Sequence, residues 1–219
     1  MFTGLVRHVG TVVAVEPAGD GATLRIDATG WDLRPEPGDS IAVDGCCLTL
    51  AEPPAEGRPW RFDVVRQTLA LTSLGDLVAG DRVNLEPSCT AETLLGGHLV
   101  QGHVEATGEV LAVERGDGSW RMRLSLAERV ADRVVDQGSI AVAGTSLTVA
   151  GTGPGWFEVA LIPTTLEETT LGDLEPGDRA NLETDVVARM VIAWLERHGP
   201  ALVERMLAGA GGRAGAGDE

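Results

Sequence analysis

The feature that most constrains the fold of this chain is that its sequence repeats itself once. The segment Leu74–Glu86 matches Leu171–Glu183 at ten of thirteen positions without a gap. The block Ser40–Leu50 returns as Ser139–Val149, with seven of eleven positions identical. The offset between the copies stays between 97 and 99 residues. Because that period is too long for a solenoid unit, the repeat indicates two whole domains of one fold, residues 1–97 and 98–186.

Within each copy, short β-rich runs alternate with clusters of glycine and proline. The first copy has such runs at Thr11–Val15, Leu24–Ala28, Ser40–Leu50 and Phe62–Val65, and turn residues at Pro35–Asp39. About six strands in roughly 85 residues are typical of a small antiparallel Greek-key barrel. The sequence therefore predicts an all-β protein with two homologous six-stranded barrels, joined through residues 87–97.

The residues after the second copy have a helical pattern instead. Apolar side chains recur at spacings of three and four on one helical face, at Val187, Met190, Val191, Trp194 and Leu195. We predict a C-terminal helical region over residues 187–208, interrupted at Gly199-Pro200 and resuming as a short helix over residues 201–207. The glycine-rich end, residues 209–219, is predicted to be disordered.

Charge and cysteine usage limit the classes of partner. The chain has 17 basic and 33 acidic side chains, a formal charge of −16, which argues against binding to nucleic acid or to anionic membranes. Cys46, Cys47 and Cys89 form neither an even disulfide framework nor a Cys-x-x-Cys metal pair. No leader-like segment and no apolar run of about 18 residues occurs. These features predict a cytoplasmic protein without a bound metal.

The repeat is not perfect, and its departures point to candidate functional residues. Cys47 aligns with Ser146, and each is followed by Leu-Thr, so each barrel presents a thiol or hydroxyl at the same place. The alternative is that Cys46 and Cys47 are small buried apolar residues at a strand end.

Two histidines provide a second asymmetry. His98 and His103 lie in a glycine-rich stretch, and the corresponding residues of the first copy are Met1 and Leu5. Histidines in such a place are candidates for proton transfer or for binding a ring. A zinc site lacks enough neighbouring ligands in the sequence.

Five motifs carry a family resemblance. They are Met-Phe-Thr-Gly at residues 1–4, Gly-Cys-Cys-Leu-Thr at 45–49, Gly-Gly-His-x-x-x-Gly-His at 96–103, Gly-Thr-Ser-Leu-Thr at 144–148 and Ile162–Thr170. In this order on a duplicated barrel, they resemble the riboflavin synthase α-chain family from Met1 to about Leu195.

The resemblance implies an enzyme that needs no cofactor. It would convert two molecules of 6,7-dimethyl-8-ribityllumazine to riboflavin and 5-amino-6-(D-ribitylamino)uracil by transferring a four-carbon unit. It also implies a homotrimer held by the C-terminal helices, with each active site between the first barrel of one protomer and the second barrel of a neighbour. Whether the chain also associates with lumazine synthase is left open.

The same resemblance implies two sets of substrate contacts. One lumazine would contact Gly4, Leu5, Val6, Ser40, Cys47, Leu48, Thr49, Asp63, Val64, Val65, Arg66, Gln67 and Thr68. The other would contact Gly102, His103, Val104, Gln137, Ser146, Leu147, Thr148, Ile162, Pro163, Thr164, Thr165, Leu166 and Glu167. Phe2 would cover the reacting rings.

Roles in the reaction follow as hypotheses. Cys47 would activate or position the acceptor, whereas His98 and His103 would transfer protons. Ser146 would orient the donor or relay the proton of its methyl group, together with Asp185. Two positions depart from the family pattern, since Ala143 stands where Asp is common and Gln137-Gly138 where Lys-Gly is common.

The alternative function is a lumazine- or flavin-binding protein of the same fold without catalysis. Such a protein needs the two pockets but none of the reactive side chains, so the joint presence of Cys47, Ser146, His98 and His103 favours the enzyme.

Overall fold

The computed structural model describes residues 1–52, 59–116 and 118–211. In this part of the chain, six strands fall in the first copy and six in the second. The first six are β1 His8–Ala18, β2 Gly21–Asp27, β3 Ser40–Val43, β4 Cys46–Glu52, β5 Trp60–Val64 and β6 Arg82–Pro87. The second six are β7 Ala106–Arg115, β8 Trp120–Ser125, β9 Ser139–Val142, β10 Thr145–Gly153, β11 Trp156–Leu161 and β12 Arg179–Thr184.

Each set of six strands closes into an antiparallel barrel with the same strand order. The first barrel runs β1-β2-β5-β4-β3-β6 and closes where Gly10 of β1 lies opposite Val83 of β6. The second runs β7-β8-β11-β10-β9-β12 and closes where Gly108 lies opposite Ala180. The predicted architecture of two homologous six-stranded barrels is confirmed. Among the strands that the structure describes, closure pairs each one on both sides.

One predicted strand is in fact two. The run Ser40–Leu50 breaks into β3 and β4 at Asp44 and Gly45, whose φ angles are 44° and 76°. Two successive residues in the left-handed region form the tight hairpin turn that Asp-Gly favours. The Asp-Gly pair is the sequence signal for this turn, although the β-rich residues on both sides of it suggest one continuous strand.

Short helices follow equivalent strands in the two copies. Helix α1 (Arg66–Leu71) follows β5, and α3 (Pro163–Glu168) follows β11; a third helix, α2 (Glu128–Ala131), lies between β8 and β9. A 3-10 turn comes after each of α1 and α3, and its first N–H groups are capped by a threonine hydroxyl. Thr72 accepts from the N–H of Leu74, and Thr169 from that of Leu171.

Each barrel has its own apolar core. The largest fully buried side chains of the first core are Ile26, Ile41, Leu50, Phe62, Leu74 and Leu85, and those of the second are Met122, Leu124, Ile140, Phe157 and Leu161. Alternate residues of each strand point into the core. The residues between them therefore face outward, where a ligand can reach them.

The C-terminal segment is one helix, α4 (Val186–Gly211), with Pro200 inside it. The predicted interruption at Gly199-Pro200 is wrong. A proline removes one backbone N–H, and the neighbouring Ala, Leu, Glu and Arg residues are good helix formers that continue the helix. Residues 209–211 of the segment predicted to be disordered lie within the bounds of this helix, and the remainder, 212–219, lies outside the described residues.

The predicted apolar face of α4 is largely accessible in the single chain. About half or more of each of the side chains of Val187, Met190, Val191, Trp194 and Leu195 is exposed. Within the described residues, no helix has the length and apolar character needed to cross a bilayer.

Candidate active site

Two short segments cross between the barrels and lie side by side. The first crossing segment, Phe2–Gly4, precedes β1, and the second crossing segment, Val100–Gly102, precedes β7. Phe2 donates its N–H to the carbonyl of Val100 at 2.7 Å, and Val100 donates its N–H to the carbonyl of Phe2 at 3.1 Å. This antiparallel bridge ties the start of one repeat to the start of the other.

The last residue of each crossing segment accepts a backbone hydrogen bond from the candidate nucleophile of the other barrel. The carbonyl of Gly4 accepts the N–H of Ser146 at 2.7 Å, and the carbonyl of Gly102 accepts the N–H of Cys47 at 2.9 Å. Cys47 and Ser146 therefore occupy equivalent places, as the alignment of the repeats predicts.

Glycine is required at both of these ends. Gly4 has a φ of +73° and Gly102 a φ of +77°, which residues with a Cβ rarely adopt. A Cβ on Gly4 would also lie 2.6 Å from the Cβ of Ser146, and one on Gly102 would lie 2.5 Å from the Cβ of Cys47. The glycine backbone therefore approaches each candidate nucleophile more closely than a residue with a Cβ could.

Two buried carboxylates, which the sequence reasoning missed, hold the crossing segments. Glu86 accepts the N–H and hydroxyl of Thr3 at 2.6 and 2.7 Å and the N–H of Gly4 at 3.0 Å. Glu183 accepts the N–H groups of Gln101, Gly102 and His103 at 2.7, 2.8 and 2.9 Å.

A signal for these two glutamates was present in the sequence. Glu86 and Glu183 end the strongest repeated block, each at the close of a buried β-strand. Burial raises the pKa of both carboxyls, and the hydrogen bonds from the crossing segments act in the opposite direction. A charged residue kept at the same interior strand position in both copies is expected to have several hydrogen-bond donors.

The second barrel pairs its serine with a histidine. The Nδ1 atom of His98 lies 2.7 Å from the Oγ atom of Ser146, and the N–H of His98 donates to the carbonyl of Thr3. Burial lowers the pKa of His98, with the charge of Asp185 opposing it. The lowered pKa favours the neutral imidazole, which in its Nε2–H tautomer can accept the hydroxyl proton of Ser146 at Nδ1. Its Nε2 atom is buried and has no hydrogen-bond partner in the described part of the chain.

The glycine before His98 is also restricted by its surroundings. A Cβ on Gly97 would lie 2.1 Å from the carbonyl oxygen of Thr3 and 2.9 Å from the Oγ atom of Ser146. The Gly-Gly-His stretch therefore brings the backbone close enough for the imidazole of His98 to reach Ser146.

His103 and Asp185 are placed differently. The side chain of His103 is exposed, and its backbone N–H is fixed by Glu183. Asp185 is half-buried at the end of the second barrel and acts on His98 through its charge. The geometry brings His98 rather than the exposed His103 ring to the hydroxyl of Ser146.

Cys47 is the accessible member of the cysteine pair. It is half-buried, whereas Cys46 is buried in the core of the first barrel, where desolvation raises the pKa of its thiol to about 12. The Cys47 side chain packs against a small cluster made of Phe2, Ala42, Val100 and Ala141.

Phe2, which is predicted to cover the reacting rings, lies between the barrels. Its side chain is fully buried in the single chain, within the cluster that contacts Cys47. Contact of Phe2 with a ligand stays a prediction.

The predicted contacts next to Cys47 and Ser146 are alternately exposed and buried along their strands. Thr49 and Thr148 are exposed and share an outer face with Cys47 and Ser146, respectively. The side chains of Leu48 and Leu147 are buried in the two cores, so only their backbone groups remain for a ligand.

The other predicted contacts lie around these strands. Ser40 is half-buried and pairs with Thr49 across β3 and β4, and Val104 packs against the core of the first barrel. Leu5 and Val6 are half-buried after the first crossing segment. Exposed or half-buried contacts also come from α1 and α3 and the residues before them, namely Val65, Arg66, Gln67, Thr68, Ile162, Thr164 and Thr165.

A small cavity lies at the end of β5 in the first barrel. It has a volume of about 320 Å³, and its lining includes Asp63, Val64 and Val65 together with Thr23 and Arg61. Thr23 donates its hydroxyl to Asp63 at 3.1 Å, and the Arg61 guanidinium lies 3.0 Å from the same carboxylate. The lining of this cavity thus combines an ion pair with apolar residues and includes three of the predicted contacts.

A smaller cavity of about 170 Å³ lies beside α3 in the second barrel. Its lining includes Pro163, Leu166 and Glu167, which are predicted contacts, together with Ser119 and Trp120. The lining of the second cavity includes an indole and that of the first includes an Arg-Asp pair, so the two cavities present different chemistry.

The two departures from the family pattern occupy turns with positive φ. Gln137 is exposed with a φ of 63°, and Ala143 is buried with a φ of 45°. Ala143 is the counterpart of Asp44, and both line a cleft of about 590 Å³ between the barrels. Within the described residues, no group of three or more His, Cys, Asp and Glu side chains is arranged to hold a metal ion.

Comparison with known proteins agrees with this arrangement. The family model of the lumazine binding domain matches residues 3–88 and 101–185. The riboflavin synthase of Mycobacterium tuberculosis (strain ATCC 25618 / H37Rv) is 46% identical over 194 residues, covering 87% of this chain and 96% of that protein. That of Escherichia coli (strain K12) is 35% identical, covering 90% of this chain and 92% of that protein.

Solved structures share the fold. LumP complexed with riboflavin superimposes with a TM-score of 0.77 at 23% identity, and LumP complexed with 6,7-dimethyl-8-(1'-D-ribityl) lumazine with a TM-score of 0.75 at 23% identity. Each comparison covers 84% of this chain and 99% of the other. The match to two lumazine binding domains and the identity to whole-length relatives place the chain in the riboflavin synthase family.

Proposed function

We propose that this protein converts two molecules of 6,7-dimethyl-8-ribityllumazine to riboflavin and 5-amino-6-(D-ribitylamino)uracil. The observation that carries the proposal is the equivalent but chemically different placement of Cys47 and Ser146 on two copies of one barrel. Relatives that are riboflavin synthases, at 35% and 46% identity over most of both chains, support the same reaction.

Duplication suits a reaction between two identical molecules. Two copies of one pocket can hold two copies of one substrate in opposed orientations, so that proximity supplies part of the acceleration. Because the molecules are identical, the protein has to make one the donor and the other the acceptor. The different side chains at the equivalent places, Cys47 and Ser146, supply that difference.

We assign the donor lumazine to the Ser146 side. The reaction begins with loss of a proton from the 7-methyl group of the donor, and the pair of Ser146 and neutral His98 can take up or relay a proton. The acceptor undergoes addition at ring carbon 7, and Cys47 is placed to position or activate it. The lumazine ring accepts the electrons, so the reaction requires no cofactor.

We further propose that the working enzyme is a cytoplasmic homotrimer. The exposed apolar face of α4 supplies a surface for association, since a stripe of that kind favours burial against another subunit. The outer faces of β4 and β10 present side chains that are available to a site completed by a neighbouring protomer, namely Cys47, Thr49, Ser146 and Thr148. Association with lumazine synthase is open to test by co-sedimentation of the two purified proteins.

The second candidate is a protein that binds lumazine or flavin without converting it. The fold shared with LumP supports this candidate. A binding protein has no need of a buried imidazole bonded to a serine hydroxyl, so the pair of His98 and Ser146 favours the enzyme.

A single assay separates the two candidates. The purified full-length chain is mixed with 6,7-dimethyl-8-ribityllumazine, and riboflavin fluorescence, remaining lumazine and the uracil product are followed together. We expect two lumazines to disappear for each riboflavin and each uracil formed. Lumazine that binds and stays unchanged at catalytic excess would exclude the enzyme and support the binding protein.

A further inference from the structure

Glu86 and Glu183 are buried carboxylates, and the hydrogen bonds of each go to a single short segment of the chain. Their exposed fractions are 5% and 3%. A buried carboxylate is costly unless several donors compensate for its lost hydration. Each of the two accepts three hydrogen bonds, and the glycine that ends a crossing segment is among the donors in both cases.

The bonds to these glycines continue to the other barrel. The N–H of Gly102 donates to Glu183, and the carbonyl of the same residue accepts the N–H of Cys47. The N–H of Gly4 donates to Glu86, and its carbonyl accepts the N–H of Ser146. One residue therefore separates each carboxylate from the candidate nucleophile.

We propose that Glu86 and Glu183 are positioning residues for the reaction and that their actions are crossed. Glu86, on the first barrel, fixes Ser146 of the second barrel through Gly4, and Glu183, on the second barrel, fixes Cys47 of the first barrel through Gly102. The inference rests on the proposed function, because positioning has a purpose only if Cys47 and Ser146 contact the substrates.

The carboxylate is suited to this task because it only accepts hydrogen bonds. In Glu86→Gln or Glu183→Gln, an NH2 group of nearly the same size replaces one carboxylate oxygen. This group faces a backbone N–H but cannot accept a hydrogen bond from it. The crossing segment then shifts while the packing volume stays the same. The two variants are matched controls for each other, since their burial and number of donors are alike.

The test follows Cys47 and His98 separately, in the absence of substrate. Alkylation of Cys47 by iodoacetamide is followed by mass spectrometry, with peptide fragmentation to separate Cys47 from Cys46. The imidazole of His98 is followed by its nitrogen NMR signals, identified by their loss in His98→Asn. We expect Glu183→Gln to change the alkylation rate of Cys47 about tenfold with little effect on the His98 signals, and Glu86→Gln to do the reverse.

Turnover completes the test. Both variants should lower kcat more than they change KM, because a displaced reactive group weakens the transition state more than the ground state. Equal effects of both variants on both probes, or no effect of either, would overturn the proposal and leave the glutamates with a purely structural function. If a glutamine variant is unfolded by circular dichroism, the aspartate variant replaces it, since it withdraws the carboxylate by one methylene, and the same crossed pattern is required.

Failure of the proposed function would look different. A wild-type chain that never forms riboflavin, yet shows the crossed pattern in alkylation and NMR, contradicts the assigned reaction but not the crossed hydrogen-bond connection. A chain that forms riboflavin but lacks the crossed pattern contradicts the positioning proposal alone.

Discussion

The imidazole of His98 and the hydroxyl of Ser146 are joined by a 2.7 Å contact between Nδ1 and Oγ, and this pair makes the two barrels chemically unequal. The sequence comparison sets Met1 against His98, but at the offset of 98 that pairs Gly4 with Gly102, Met1 aligns with Leu99. Among the described contacts, Ser146 has a histidine partner, whereas Cys47 packs against an apolar cluster. This is the physical basis for assigning the donor, which must lose a methyl proton, to the second barrel.

The first prediction concerns this histidine. We expect His98→Ala to lower kcat by about 10²-fold or more, the range of one positioned acid-base group. His98→Asn keeps an amide near the place of Nδ1, so recovery of activity in that variant would mean that His98 only orients Ser146. Because burial lowers the pKa of His98 below 6.5, wild-type kcat should hold steady above that pH and fall as the pH drops through the lowered pKa. A kcat that is independent of pH between about 5 and 8 would contradict proton transfer by His98.

The second prediction exchanges the equivalent side chains. Cys47→Ser and Ser146→Cys nearly preserve size, so the fold should change little, but their kinetic effects should differ because they act on different molecules. We expect Cys47→Ser to lose about 10²-fold in kcat and in kcat/KM while lumazine still binds. Steady-state kinetics and lumazine fluorescence titration measure both quantities. Wild-type turnover in Cys47→Ser would return Cys47 to the alternative of a packed strand-end residue.

The sequence was sufficient for the architecture and for the equivalence of Cys47 and Ser146. Ten identities in Leu74–Glu86 made the duplication certain, and the alternation of buried and exposed residues along each strand then follows from β geometry. The hairpin at Asp44-Gly45 was also readable, because Asp-Gly is a strong turn signal, although it was missed.

The crossing segments could not be predicted in the same way. Phe2–Gly4 bonds through its backbone to residues of the other copy, and a backbone hydrogen bond leaves no preference for a residue type in the sequence. The burial of the Phe2 ring depends on that long-range pairing, so the sequence alone does not show it. The continuity of α4 through Pro200 was missed because a proline makes a helix end more probable without requiring it.

The third prediction tests the close approach at Cys47. Gly102→Ala adds a Cβ 2.5 Å from the Cβ of Cys47 at a φ of +77°, whereas Gly155→Ala has the same φ with open space around its Cβ. Both variants should lose about 1 kcal/mol or more of unfolding free energy from backbone strain. Gly102→Ala should lose more, and it alone should lower kcat. Urea denaturation and the riboflavin assay measure the two effects, and equal results for both variants would mean that contact with Cys47 is unimportant.

The fourth prediction concerns Asp44 at the junction of the barrels. Burial raises the pKa of this carboxyl from 3.8 to about 7, with the N–H of Asn84 opposing the change and the charge of Asp81 adding to it. Between pH 3.8 and about 7, the unfolded chain has lost a proton that the folded chain keeps. The free energy of unfolding therefore falls as the pH rises, and this loss of stability is complete above pH 7. At ~1.36 kcal/mol per pH unit, the penalty is at most about 4 kcal/mol.

Asp44→Asn removes this penalty and can keep the hydrogen bond from Asn84, and asparagine tolerates the φ of 44° at this position. The variant should therefore equal wild type in urea denaturation near pH 4 and exceed it at pH 8. Asp20→Asn, at an exposed site, controls for the reduced net charge. A stability difference of the same size at both pH values would mean that ionisation of Asp44 is not its cause.

The fifth prediction tests the proposed trimer. Residues Met1–Asp185 form a compact unit that contains both cores, so deletion of residues 187–219 should leave the barrels folded. The deletion also removes the exposed apolar face of α4, which includes Met190 and Trp194. We expect monomers in sedimentation velocity experiments and loss of riboflavin formation, because in the proposed trimer a neighbouring protomer completes each active site.

Deletion of residues 212–219 alone is the matched control, since it leaves α4 in place, and this chain should remain trimeric and active. The activity of the longer deletion then separates two explanations for the exposed face. If the monomer keeps full turnover, one chain completes its own active site, and α4 serves association only. If the deletion leaves a trimer, the subunits associate through the barrels, and the apolar face of α4 has another partner.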